Sequence, residues 1–213
     1  MKTFSEELKQ HWIDQMQAHQ EADRLIQGEW LNTDAEFYEG EEFHRGCFFG
    51  CAMQTDSDAL QEAIEHMQLP PWLVHLSEKI FEGLPKDDAL AFPVQLLKAI
   101  PSDTDISEVI HKIAVKRLEP LIRESNGAES NEAIQQVIDY HKNTERTEED
   151  RKAADSAATS IADSAADSAA RSAAYSADSA AYSAAYSAVH LARSAVWQKE
   201  RDNLLQALRS NSK

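Results

Sequence analysis

Residues 153–190 read AADSAATSIADSAADSAARSAAYSADSAAYSAAYSAVH, and this stretch decides the fold. Serine recurs at Ser156, Ser160, Ser164, Ser168, Ser172 and Ser176, steps by three to Ser179, and resumes at Ser183 and Ser187. Steps of four with an occasional three keep side chains on one face of a helix and would scatter them on a strand. Alanine fills most positions between and has the best intrinsic helix propensity. No Gly follows Gly127 and no Pro follows Pro120 until the chain ends, so nothing breaks the run. Upstream, Thr147 and Asp150 have the form of a capping box, with Glu148 and Glu149 where the helix dipole favours anions. One helix is predicted from Thr147 to Leu208.

Some sixty residues at about 1.5 Å each give a rod of about 90 Å, whereas a compact chain of this size has a radius of gyration of about 17 Å. The segment therefore folds into a hairpin, with the step from Ser176 to Ser179 as one candidate turn, or pairs with a second copy. A serine hydroxyl can bond the carbonyl one turn back, so a serine stripe can be buried. Small side chains then let other backbones approach closely. The alternative is an alanine helix wetted on every side. The predicted fold is all-α: a short-helix domain over residues 1–145 packed on a long Ala/Ser-rich C-terminal helix or helical hairpin over 146–210.

Outward from that stretch, the 213 residues with 42% hydrophobic content suffice for one substantial core. A net charge of −16 argues against direct nucleic-acid binding and against anionic membranes. Between Glu29 and Glu65 ten acids face one base, Arg45, a run that reads as a solvated acidic face or as an acidic DNA mimic. The opening MKTFSEEL has no apolar region of the signal-peptide kind, and two cysteines do not make a disulfide framework. A soluble protein of the cytoplasm is expected.

Leu8, Trp12, Ile13, Met16, Leu25 and Ile26 predict one amphipathic helix from Ser5 to Gln27, stopped by Gly28. Residues 29–54 show no clean period and many aromatics and glycines, and are expected as an irregular, functional loop. Beyond it come a helix capped by Thr55 and Asp58, another opened by Pro71, and one kinked or divided at Pro93. A further helix is expected from residues 102–105 through Leu118. A last short one carries Ile134, Val137, Ile138 and Tyr140. At the C-terminus, Leu204, Leu205 and Leu208 return to ordinary amphipathic spacing.

The sharpest cluster is His44-Arg45-Gly46-Cys47-Phe48-Phe49-Gly50-Cys51, followed by Phe81-Glu82-Gly83-Leu84-Pro85, Phe92-Pro93, Ile100, Asp105-Ile106-Ser107 and the repeat after Ala153. This series resembles a family of uncharacterised phage and prophage proteins with a His-Gly-Cys-x-x-Gly-Cys-like motif and an Ala/Tyr-rich C-terminal helix. The likeness spans most of the chain after residue 40. In this chain Arg45 stands between the His and the Gly, and the repeat is richer in serine. The resemblance implies a mobile-element origin and supplies no reaction.

The cluster has four physical readings. His44, Cys47 and Cys51 are spaced to reach one metal ion, zinc by residue type, with His66 or His75 as a fourth ligand. Alternatively, His44 activates Cys47 or Cys51 as a thiolate while Gly46 and Gly50 let amides converge on an oxyanion. A ligand site would use the glycine amides as an anion nest, Arg45 as a fork for phosphate, and Trp72 for stacking on a base, with Tyr182 and Tyr186 lining the pocket. The bland reading makes Gly46 and Gly50 a tight turn and both cysteines small buried apolar residues. No phosphate-binding glycine loop, dinucleotide fingerprint, zinc-protease motif or nucleophile elbow occurs. The expected function is a non-enzymatic phage-type binding protein acting on a host or defence component, by sequestering a small nucleotide-like ligand or by covering a protein surface; the alternatives are a metal-binding or thiol enzyme centred on His44, Cys47 and Cys51, and an acidic DNA mimic. A homo-oligomer is expected.

Overall fold

A computed structural model describes residues 4–29, 31–38, 41–55, 58–122, 128–150, 152–153 and 182–211, without the side chains of 32–43, 129–130 and 182–194. The fold is all-α with one two-stranded antiparallel ribbon. The chain forms two compact units, Met1–Ser107 together with His190–Lys213, and Glu108–Val189. Among the described residues no helix is long and apolar enough to cross a membrane.

In the first unit, helix α1 spans Glu6–Glu21 and is opened by Ser5, whose Oγ accepts the Leu8 amide at 3.2 Å. It buries Trp12, Ile13, Met16 and His19. The helix ends six residues before Gln27, and the reason is local. Asp23 takes a left-handed φ of 52°, the Arg24 amide reaches back to the His19 carbonyl at 2.9 Å, and the Asp23 amide to that of Gln20 at 3.2 Å. This pair of bonds is a Schellman closure with Asp where Gly is usual. The freed segment then pairs with Gly46: the Ile26 amide donates to the Gly46 carbonyl at 2.9 Å and the Gly46 amide to that of Arg24 at 3.0 Å.

The stretch expected as an irregular loop contains strands β1 (Leu31–Tyr38) and β2 (Glu41–Gly46) and a short helix α2 (Phe48–Met53). Register runs Leu31 to Gly46 and Asn32 to Arg45, then Glu36 to Phe43 and Tyr38 to Glu41. Four residues of advance on β1 face two on β2, so the strand is bulged and its alternation interrupted. That interruption removes the period-two signal by which a strand is read.

Helices α3 (Ala59–His66), α4 (Pro71–Gly83) and α5 (Lys86–Ala99) follow. Pro71 stands in the first turn of α4, where its missing amide costs nothing. Helix α5 continues through the buried Pro93 as one element. Its partners in the core are α1 and α4. The helix expected from 102–105 starts only at Val109. Before it, Asp103 is left-handed with φ 52°, and the Asp105 carboxylate accepts the Ser107 amide at 2.8 Å, an Asx turn.

The last helix, α8, spans Tyr182–Arg209. In the first unit it supplies Leu204, Leu205 and Leu208, all buried. Arg201 pairs with Asp88 at 2.8 Å, and Gln198 donates to the same carboxylate at 2.6 Å, which fixes this segment to the first turn of α5. The Trp197 ring lies on Gly83, where a Cβ would collide with the indole. Leu204, Leu205 and Leu208 thus form part of a core and not a tail.

The second unit holds helix α6 (Val109–Leu118), a 3₁₀ turn Glu119–Leu121 at Pro120, and helix α7 (Ala128–Lys142). Val109, Ile113, Ile134, Val137 and Ile138 are buried. Arg146 forks to Glu108 with both distances 3.0 Å and donates to the Tyr140 and His141 carbonyls, closing the end of α7. The capping box is present: Asp150 accepts the Thr147 amide at 2.9 Å and Thr147 Oγ1 accepts the Asp150 amide at 3.1 Å. Residues 148–150 and 152–153 are helical. The serine repeat over 154–181 and the candidate turn near Ser179 lie outside the described residues.

Candidate functional site

The end of β2 sets the motif. Gly46 is buried between its two bonds to residues 24 and 26, and the Cys47 amide donates to the Glu29 carbonyl at 2.7 Å. Cys47 then caps α2, its Sγ accepting the Gly50 amide at 3.4 Å. Gly50 is therefore buried within a helical turn, with its amide turned to sulfur. Cys51 sits one turn on, and its thiol lies 3.2 Å from the Arg24 carbonyl and 3.3 Å from that of Gly46.

Both thiols are protonated at neutral pH. Burial, followed by the nearby Glu78 charge, pushes Cys47 far above the usual thiol range. Burial pushes Cys51 up to about 11. An activated nucleophile needs the opposite shift. Arg45, expected as a phosphate fork, forms an ion pair with Asp23 at 2.8 Å. His44 is half-buried on β2. Trp72, half-buried at the start of α4, has a buried indole N–H without a hydrogen-bond partner. Tyr182 and Tyr186 are on α8, where their side chains lie outside the described residues.

The structure gathers Cys47 with residues other than those expected from the spacing. Among the described residues, the group close enough to share a metal ion is Cys47, Glu78 and Glu82, whose ligand atoms all lie within 4.8 Å of one another. His44, Cys51, His66 and His75 are not in it. Glu78 and Glu82 are one turn apart on α4, so both carboxylates leave the same face of that helix. Glu78 is 8% exposed, and its Oε2 has no hydrogen-bond partner. Burial lifts its pKa to about 7, opposed by a hydrogen bond with Cys47. Glu82 is exposed and accepts the Gly28 amide at 2.8 Å.

A second feature of the same unit is a cleft of about 510 Å³. Its apolar wall is Phe4, Ile64, Leu69, Pro70, Ile100 and Ile106, and Glu65, Gln68 and Thr104 supply polar groups. Two left-handed residues shape it. Gln68, with φ 56°, turns the chain out of α3 into the extended Leu69-Pro70, and Asp103 turns it after Ile100-Pro101. The Asp103 amide donates to the Phe4 carbonyl at 3.0 Å, and Lys9 Nζ to that of Ile100 at 2.8 Å, so the N-terminal segment is tied across one side. Sequence reasoning passed over these residues. The available signal was the two apolar-proline breaks, Leu69-Pro70 and Ile100-Pro101, which force the chain out of helix and turn it beside buried apolar side chains.

Comparison of the chain with protein-family models, with curated proteins and with solved structures finds no match.

Proposed function

We propose that this chain is a non-enzymatic binding protein of phage or prophage type, acting in the host cytoplasm on a host or defence component, and that the cleft takes its ligand. The carrying observation is the cleft itself: about 510 Å³, walled mainly by apolar side chains with three polar groups beside them. That volume and lining match the usual small-molecule pocket. The two protonated thiols favour this reading over thiol catalysis. The resemblance carried by His44, Gly46, Cys47, Gly50 and Cys51 supports the mobile-element origin. The small-residue stripe after Ala153 supports pairing with a second copy.

Charge refines the ligand. Glu65 stands in the cleft, and among the described residues no basic one lines it, while Arg45 is paired with Asp23. A phosphate would meet repulsion there, so a neutral or cationic ring compound with donor groups fits better than a nucleotide. Of the ten acids behind the acidic DNA-mimic reading, Asp34, Glu36, Glu39, Glu41, Glu42 and Asp56 have side chains outside the described residues.

Thermal-shift screening of the full chain tests the proposal, using neutral, cationic and nucleotide-like ring compounds in parallel. A neutral or cationic class should raise Tm, and Ile64→Trp, which fills the cleft from its half-buried wall, should abolish the shift while remaining folded. No shift from any class, or a shift that survives the filled cleft, would count against the reading.

A further inference from the structure

A buried carboxylate with an unpartnered oxygen is rare in a folded protein, because ionising it there costs several kcal/mol unless a cation or donors compensate. Glu78 Oε2 is such an atom. The groups that bias Glu78 are the Cys47 thiol, the Phe49 amide and the Glu82 carboxylate, and no lysine or arginine is among them. Glu82 is likewise biased by burial and by the Gly28 amide alone. Two acids and one thiol thus converge within 4.8 Å, and among the described residues no lysine or arginine acts on either acid.

From this convergence we infer that Cys47, Glu78 and Glu82 form a site for one borderline divalent cation of the zinc class, with water completing the coordination. The donors decide the ion. One sulfur and two carboxylate oxygens suit zinc or cobalt, whereas calcium and magnesium call for more oxygens and no thiolate. Zinc bonds of about 2.0–2.3 Å place tetrahedral ligands about 3.5 Å apart, which side-chain rotation reaches from the present spacing. The backbone is already arranged for it. Cys47 is fixed by the hydrogen bond its amide donates to the Glu29 carbonyl, Glu78 and Glu82 share a helix face, and Glu82 is oriented by the Gly28 amide it accepts. Exposure of Glu82 gives the ion a route from solvent. On binding, the Cys47 thiol proton passes to solvent and the sulfur ligates as thiolate.

This inference is independent of the cleft, whose lining shares none of the three residues. Titration of the reduced, metal-free full chain with Co²⁺ tests it. One equivalent should bind with a sulfur-to-cobalt charge-transfer absorption that Zn²⁺ displaces. Cys47→Ser should lose the band, while Cys51→Ser and His44→Asn keep it. Glu82→Gln, at an exposed position that leaves the core alone, should weaken binding about tenfold or more. Absence of the band in the native chain, its loss with Cys51→Ser or His44→Asn, or unchanged affinity in Glu82→Gln would overturn the assignment. If Cys47→Ser does not fold, the Glu82→Gln result decides.

Discussion

Gly83→Ala has opposite consequences depending on one residue 114 positions away in sequence. In the native chain a Cβ at Gly83 meets the half-buried Trp197 indole, so the ring or the helix must shift to make room. Overpacking of this kind costs about 1–3 kcal/mol. Taken alone, Ala in a helix is better than Gly by about 1 kcal/mol, and Gly83 is the last residue of α4 with no left-handed φ to protect it. In a Trp197→Ala background the collision disappears and only the propensity gain remains. Urea unfolding of the four proteins in a double-mutant cycle should therefore show Gly83→Ala as destabilising in the native chain and neutral to stabilising beside Trp197→Ala, a coupling of about 2 kcal/mol or more. The same sign and size in both backgrounds would refute the contact between α4 and α8.

Other expectations follow from single features. Ser5→Ala removes the cap on the Leu8 amide and should cost about 1 kcal/mol, read by the urea midpoint of the first unit. His111 and His141 meet at 2.8 Å; burial and then Arg146 hold the His111 pKa below the ordinary range, and burial, the His111 charge and Arg146 do the same for His141. The unfolded state then takes up more protons, so this contribution is complete above about pH 6.5 and is lost as pH falls below it. Thermal melts against pH should show the loss, and His141→Gln should flatten it. Cys47 and Cys51 are 1% and 2% exposed and should resist alkylation in the native chain, reacting fully in urea. Rapid native labelling at either sulfur would contradict their burial.

Much of the helical framework is legible before any coordinates. A helix beginning at Ser5, Pro71 at the opening of α4, and Thr147 with Asp150 as a capping box are all found where the sequence puts them, because each signal acts within one or two turns of chain. Leu204, Leu205 and Leu208 are buried as their spacing implies, although the partners they meet are set by tertiary packing. What fails to show is governed by other physics. Asp23, Gln68 and Asp103 take left-handed turns normally given to Gly, so helix ends and loop directions shift by several residues. The bulge between Asn32 and Glu36 conceals a ribbon within an apparently irregular stretch. For the site, the motif points to Cys47 but suggests partners near in sequence. The groups that face it, Glu78 and Glu82, come from a helix thirty-odd residues later, and their one-turn spacing looks like any solvated helix surface until α4 is packed.

Both candidate sites sit on the unit that the end of α8 completes, so the decisive measurement is amide hydrogen exchange on the full chain. The amides of residues 204–208 should be protected to the same free energy as those of α4 and α5, opening only with the whole unit. Exchange of that segment at the rate of a fraying end, while α4 and α5 remain protected, would show that the first unit stands without it and would contradict the fold on which the cleft and the cysteine–carboxylate cluster depend.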